Sequence, residues 1–209
     1  MWDAGHALVA GVDEVGRGPI AGPVVAGAVC LEPRSRPDWL GRVRDSKQLS
    51  ARARRDLAAA IKHTVPGWGV GWTAAEEIDS VGILQGTRLA MRRALADLAG
   101  RSGAAVDYVL VDGRDAHHFE SRFETIVGGD ASSTSIAAAS IVAKVARDAW
   151  METRAAAYPA YGFAANKGYA TPGHLAALRR RGPCVEHRYS FAPVRASGRA
   201  ALRPARLGF

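Results

Sequence analysis

Hydrophobic and polar positions change their period along the chain, and each change marks an element. The apolar run Ala7 to Val12 predicts a short buried strand, and Gly22 to Leu31 a second one after a Gly/Pro turn, the two forming an antiparallel pair. Trp68 to Thr73 predicts a third strand. Val106 to Val111 is β-branched, apolar and preceded by Gly103, which suits a buried parallel strand. Phe123 to Val127 is a fifth candidate.

Helical periods fall between these strands. Ser50 is placed to cap a helix whose apolar positions Leu57 and Ile61 lie four apart. Thr73 and Glu76 have the spacing of a capping box that opens another helix. Leu84, Met91, Leu95 and Leu98 line one face of a third, with Arg88, Arg92 and Arg93 on its polar side. Ser133 to Met151 is Ala-rich and apolar on several faces, the pattern of a helix deep in the core. Thr171-Pro172 starts a short helix that Gly182 ends. Strands first, then helix and strand in alternation, then helices, make an α/β fold with a mixed sheet.

Composition narrows the class without changing this picture. A chain of 209 residues with 48% hydrophobic and 23% charged residues is one ordinary globular domain rather than a disordered chain or a disulfide miniprotein. The net charge of +8 favours a polyanionic partner. Cys30 sits in an apolar run as a small core side chain, and it and Cys184 have neither zinc nor disulfide spacing. The most apolar stretch, Pro19 to Leu31, is too short and too rich in Gly and Pro to span a bilayer, and the start of the chain has no leader pattern. The expectation is a cytoplasmic protein. Arg195 to Phe209 holds four arginines and no acid and reads as a solvated tail, with weak phosphate contact as the other reading.

The densest chemical signal is Asp13-Glu14, two carboxylates that follow the first strand and lead into Gly16-Arg17-Gly18-Pro19. A hydrated loop or an ion pair with Arg17 is the plain alternative. Gly16 to Ala21 matches the dinucleotide fingerprint in form, but its glycines lead into a strand rather than a helix N-terminus, and the two acids would repel a pyrophosphate. Asp112 ends the fourth strand, where a turn aspartate is equally ordinary. If that strand lies parallel beside the first, both acidic ends reach the same sheet edge. Asp130 precedes the Ala-rich helix as a capping acid or as a ligand. Together Asp13, Glu14, Asp112 and Asp130 can hold two Mg²⁺ ions about 4 Å apart for in-line displacement of a phosphodiester. Asn166 to Thr171 offers a cation, the Tyr169 ring and a hydroxyl in one turn, where a base or sugar can stack. Its plain alternative is a local aromatic cluster of Tyr158, Tyr161, Phe163 and Tyr169. Asp45-Ser46-Lys47 reads as a turn into a helix or as a phosphate clamp, and His187-Arg188 as a surface ion pair.

These residues belong to blocks that resemble bacterial ribonuclease HII, the type 2 ribonuclease H family. The blocks are GVDEVGRGPIAGPVVAGAV, DSKQLS, EEIDSVGILQGT, VLVDG, GGDASSTSIAAASIVAKVARD, YPAYGFAANKGYATPGHL and GPCVEHRYSFAPV, in the family's order from about residue 9 to residue 194. The resemblance implies an RNase H-like α/β fold: a central mixed five-stranded sheet flanked by helices, with a helical C-terminal part from about residue 152. It implies one catalytic domain over residues 1–194, with the basic tail at 195–209, acting as a monomer. It implies cleavage of the RNA strand of RNA–DNA hybrids and nicking on the 5′ side of single ribonucleotides in duplex DNA. It assigns Asp13, Glu14, Asp112 and Asp130 as ligands of two Mg²⁺ or Mn²⁺ ions, Gly16, Arg17 and Gly18 as the turn that senses the ribose 2′-hydroxyl, and Tyr169 as the ring that packs on the adjoining deoxyribose. Lys47, Lys144, Lys167 and Arg188 would hold the duplex backbone without reading sequence. It implies cleavage that leaves a 3′-hydroxyl and a 5′-phosphate without a covalent intermediate.

The chain departs from the family at Gly128, where lysine is usual, and at Asn166 and Ala170, where histidine and glycine are usual. These departures bear on backbone binding near both loops and leave the carboxylates in place. The rival from another class is a nucleic-acid binding protein with the same fold and no activity. Four intact acids argue against it, because a binder gains nothing from negative charge facing phosphates.

Overall fold

The computed structural model describes residues 5, 6, 8–33, 35–43, 49–103, 106–114, 119 and 121–197. The described residues form two compact units. The first holds the chain through Val15, Val25–Trp72 and Arg88–Ala146; the second holds Gly16–Val24, Thr73–Thr87 and the chain from Arg147 on.

All five strands form. β1 (Val9–Val15), β2 (Val24–Leu31), β3 (Gly67–Thr73), β4 (Tyr108–Asp112) and β5 (Arg122–Ile126) make one sheet in the order β3-β2-β1-β4-β5. β1 pairs antiparallel with β2 and parallel with β4, and β4 parallel with β5, so the sheet is mixed as the pattern predicts. β1 extends three residues beyond its expected end at Val12 and so takes in both acids.

In the first unit, helices cover both faces of the sheet. α1 (Ala51–Thr64) starts where expected, with the Ser50 hydroxyl accepting from Ala53 N–H. Its Leu57 and Ile61 pack with Val29, Leu31, Trp39 and the buried Ala137–Val142 stretch of α4 (Thr134–Ala157). α4 lies so close to the sheet that a side chain at Gly27 would run into the Ala139 carbonyl. On the opposite side of β3, a side chain at Gly71 would meet the Ala90 carbonyl of α2 (Ala75–Ser102). Alternation along β3 sends Trp68 and Val70 to the α1 side and the glycines to α2.

Two helical expectations are corrected. The Thr73–Glu76 capping box does not form: Ala74 is the N-cap and has no side-chain acceptor, and only the half in which Ala74 N–H donates to Glu77 Oε2 at 2.9 Å is present. Thr73 is the buried last residue of β3, and its hydroxyl donates to the Gly86 carbonyl at 2.8 Å instead. The apolar face running to Leu84 does not hold either. The helix kinks at Gly82 (φ 79°, ψ 160°), Leu84 is exposed, and the buried face consists of Ala90, Met91, Ala94 and Leu98.

The second unit is helical beyond α4. A 3₁₀ turn (Pro159–Tyr161), α5 (Phe163–Asn166), α6 (Pro172–Arg181) and α7 (Ala192–Arg195) follow in order. α6 keeps its predicted ends: the Thr171 hydroxyl accepts from His174 N–H, and Gly182 N–H closes on the Leu178 carbonyl. Val194 is buried in α7, so packing continues to the start of the expected tail. Residues 198–209 lie outside the described residues.

Candidate active site

The parallel register of the two central strands builds the acidic pair. Val12 pairs with Val111, so the next residues, Asp13 and Asp112, stand side by side at the same end of the sheet. Asp13 is only 6% exposed, which sets aside the hydrated loop. Burial first, and then the negative charges of Glu14 and Asp112, push its carboxyl up to about 7 from an ordinary 3.8, against a stabilising hydrogen bond from the Ser140 side chain. Asp112 Oδ1 accepts from Gly129 N–H at 2.6 Å, which ties the short helix α3 (Gly129–Ser132) to the end of β4 and keeps Asp130 near it. Glu14 and Asp130 are both half-buried.

Among the described residues, no three His, Cys, Asp or Glu side chains are drawn into one finished metal-ligating cluster. The donor set nevertheless fits a hard divalent cation. It is made wholly of carboxylate oxygens, and a buried carboxyl raised by its acidic neighbours is relieved by positive charge between them.

The second unit builds the Gly16-Arg17-Gly18 turn. Gly16 has φ 93°, and a side chain there would strike the Arg147 guanidinium. Two fully buried arginines hold the turn from beneath. Arg188 donates to the carbonyls of Gly16 (2.6 Å), Arg17 (2.8 Å) and Gly22 (3.0 Å). Arg147 donates to Pro23 (3.0 Å), Ala21 (3.3 Å) and Lys167 (3.0 Å). Burial and the neighbouring Arg147 bring the Arg188 guanidinium down to about 9.

The Tyr169 turn lies against this loop. A side chain on Gly18 would sit 3.7 Å from the Tyr169 ring, and Ile20 N–H donates to the Gly168 carbonyl at 2.9 Å. Asn166 shapes the turn from both ends: its Nδ2 donates to the Tyr161 carbonyl at 2.6 Å and its Oδ1 accepts from Gly168 N–H at 2.8 Å. Lys167 takes a left-handed conformation (φ 50°) between them.

Asp13 and Asp112 come together, with Glu14 next in the chain and Asp130 beside the Gly129 anchor. Gly16, Arg17, Gly18 and Tyr169 share one unit, Arg17 and Gly18 exposed and Tyr169 47% exposed. Tyr169 therefore stands apart from the aromatic cluster, which consists of Tyr158, Tyr161 and Phe163 packed on the buried His174 and His187. Lys144 is half-buried on α4, and Lys167 pairs with Glu152 at 2.7 Å. Lys47 lies outside the described residues. The surface ion pair read at His187-Arg188 is corrected: both side chains are 0% exposed. Arg188 spends its donors on three carbonyls, so its place is under the loop rather than on a phosphate.

Sequence reasoning missed Arg147, Ser140 and Asp79. Asp79 accepts from Tyr189 N–H, Ser190 N–H and the Ser190 hydroxyl, holding the segment after Arg188. None of the three carried a local signal: Arg147 sits between Lys144 and Asp148 on the Ala-rich helix, so its charge does not set it apart.

A mixed sheet of this order, with carboxylates ending its two parallel central strands, defines a ribonuclease H-like nuclease fold. The family model for ribonuclease HII matches residues 10–194. The chain is 51% identical over 187 residues to the ribonuclease HII of Moorella thermoacetica, covering 90% of this chain and 87% of that protein. It is 52% identical over 187 residues to that of Nitrosococcus oceani, covering 90% of each. Among solved structures, the ribonuclease H2 from Pyrococcus horikoshii OT3 superposes with a TM-score of 0.75 at 26% identity, covering 91% of this chain and 96% of that one. Bst-RNase HIII in complex with Mn²⁺ shares the fold with a TM-score of 0.68 at 23% identity, over 92% of this chain and 69% of that one. The chain belongs to the ribonuclease HII family, and its activity is that of a ribonuclease H endonuclease. No helix among the described residues is long and apolar enough to cross a membrane.

Proposed function

We propose that the protein cleaves the RNA strand of RNA–DNA hybrids and nicks duplex DNA on the 5′ side of single ribonucleotides, with Asp13, Glu14, Asp112 and Asp130 as ligands of two divalent ions, Mg²⁺ or Mn²⁺. The observation that carries this reading is the parallel register that sets Asp112 beside the buried Asp13. When bound, the ions supply activation of water and stabilisation of the leaving oxygen. The carboxylates hold them, and Asp112 also fixes the turn that bears Asp130 through the Gly129 N–H. Ser140 orients Asp13 from α4.

Recognition of the ribonucleotide belongs to the second unit. The Gly16-Arg17-Gly18 backbone, free of bulky side chains at both glycines, approaches the sugar closely enough to test for a 2′-hydroxyl, which both donates and accepts. The exposed face of Tyr169 packs on the neighbouring deoxyribose. Lys47, Lys144 and Lys167 contact the duplex backbone without reading sequence.

The test is incubation with duplex DNA that holds one ribonucleotide, with Mg²⁺ or Mn²⁺ and then with chelator. Nicking is expected only with metal, and Asp112→Asn lowers it by at least ~10²-fold while the fold is kept. Equal nicking by that variant would refute the assignment. Binding without nicking by the unaltered chain would instead favour the inactive binder.

A further inference from the structure

Beneath the Tyr169 turn lie two histidines and a cysteine that cleavage leaves unused. His174, in the first turn of α6, is 1% exposed, and His187 is 0% exposed. Their Nε2 atoms stand 3.0 Å apart. At that distance one nitrogen carries the proton and the other accepts it.

The outer nitrogens decide which. Cys184 N–H donates to His187 Nδ1 at 3.0 Å, so the proton of the neutral His187 ring lies on Nε2. His187 Nε2–H then donates to His174 Nε2, which leaves the His174 proton on Nδ1. That nitrogen faces the Tyr169 carbonyl at 2.8 Å, and a carbonyl can only accept. Cys184 Sγ also lies 3.3 Å from His187 Nδ1, and its thiol, held protonated by burial, donates to that nitrogen as the N–H does, which favours the same assignment for two neutral rings.

The surroundings keep both rings neutral. The Tyr161 ring lies 4.8 Å from His187 and the Phe163 ring 5.4 Å from His174, between centroids. Burial draws both imidazoles below their ordinary 6.5, His187 to about 3. The Tyr169 carbonyl also accepts from Thr171 N–H at 2.8 Å, so two donors from the start of α6 clamp it.

We propose that this relay, from Cys184 N–H through His187 and His174 to the Tyr169 carbonyl, sets the attitude of the Tyr169 ring, making His174 and His187 positioning residues for ribonucleotide recognition. The proposal rests on the reading of Tyr169 as the ring that packs on the sugar. With its side chain half exposed, the ring takes its direction from its own backbone, and the relay anchors that backbone to the buried aromatic cluster.

Two measurements test it on the full chain. The first is ¹⁵N NMR of the imidazoles at neutral pH, assigned by H174N and H187Q. His174 should be protonated on Nδ1 and His187 on Nε2; any other tautomer, or a charged ring, overturns the relay. The second is nicking at a single ribonucleotide with Mg²⁺. His174→Leu should lower kcat/KM roughly tenfold, whereas His174→Asn, which keeps a donor where Nδ1 stands, retains most of it although both variants lose thermal stability alike. Equal losses, or no loss, overturn the proposal. Tyr169→Ala separates it from the reading beneath: impaired nicking by that variant with full nicking by His174→Leu removes the relay alone. Unimpaired nicking by Tyr169→Ala removes the sugar-packing role and the relay with it. Should His174→Leu fail to fold, the tautomers of the unaltered chain decide.

Discussion

Buried polar side chains carry most of the functional architecture, and each is held by a partner distant in sequence. Ser140 and Asp13 are an example. Removing the hydroxyl leaves the carboxyl without its orienting donor, so Ser140→Ala is expected to weaken Mg²⁺ dependence and activity about 10- to 100-fold with little change in thermal stability. Titrating activity against Mg²⁺ concentration measures it, and an unchanged midpoint would count against the role. Arg188 is the opposite kind of residue. Arg188→Met strands the buried carbonyls of Gly16 and Gly22 and the half-buried one of Arg17 and should cost on the order of 3 kcal/mol, read from urea unfolding. His187 sets a pH response. Its folded ring takes a proton only near pH 3, whereas the unfolded ring takes one near 6.5, so the unfolded chain binds more protons in that window and stability falls as pH is lowered through it. Asp13 acts in the opposite sense between 3.8 and about 7, because its folded carboxyl holds a proton that the unfolded one has released. The measure is therefore the difference between the unaltered chain and H187Q, whose stability should fall less between pH 6.5 and pH 3.

At the scale of elements, close packing between α4 and the sheet is set by what is missing from side chains. Gly27→Ala would push a methyl against the Ala139 backbone, which cannot yield as a side chain can, and should cost about 1–3 kcal/mol in a thermal or urea melt. Periodicity made all five strands legible, as well as the caps of α1 and α6, because each signal is local: an apolar run, a hydroxyl before a helix, a glycine after it. It misplaced the start of α2 and the face around Leu84 for a physical reason. Thr73 had two possible partners for its hydroxyl, and the continuation of β3 decided for Gly86. Leu84 lies in the first turn after the kink at Gly82, where Gly86 and Thr87 take the buried positions, so the apolar face is buried only from Ala90 on.

At the scale of the whole molecule, the proposed function assigns the charge of +8 to the duplex backbone rather than to any one contact. Affinity for a ribonucleotide-containing duplex should fall with salt along a log–log slope steeper than about −3, and by the same slope for unrelated sequences, since phosphate contacts carry no sequence information. A shallow slope would mean that the basic residues are spent on internal pairs of the kind Lys167 makes with Glu152.

The sequence by itself determined the α/β class, the five strands, the longer helices and the candidate acids, since these depend on local pattern and on residue type, whereas the short helices α3, α5 and α7 left no such pattern. The tertiary structure alone decided which acids meet. Asp13 and Asp112 are 99 positions apart in number, and only the parallel register of β1 with β4 places them side by side. It likewise decided that Arg188 lies under the loop and that His174 and His187 face each other through their Nε2 atoms. Hydrogen-bond partners of buried polar groups are chosen by three-dimensional proximity, which leaves no period in the chain to be read.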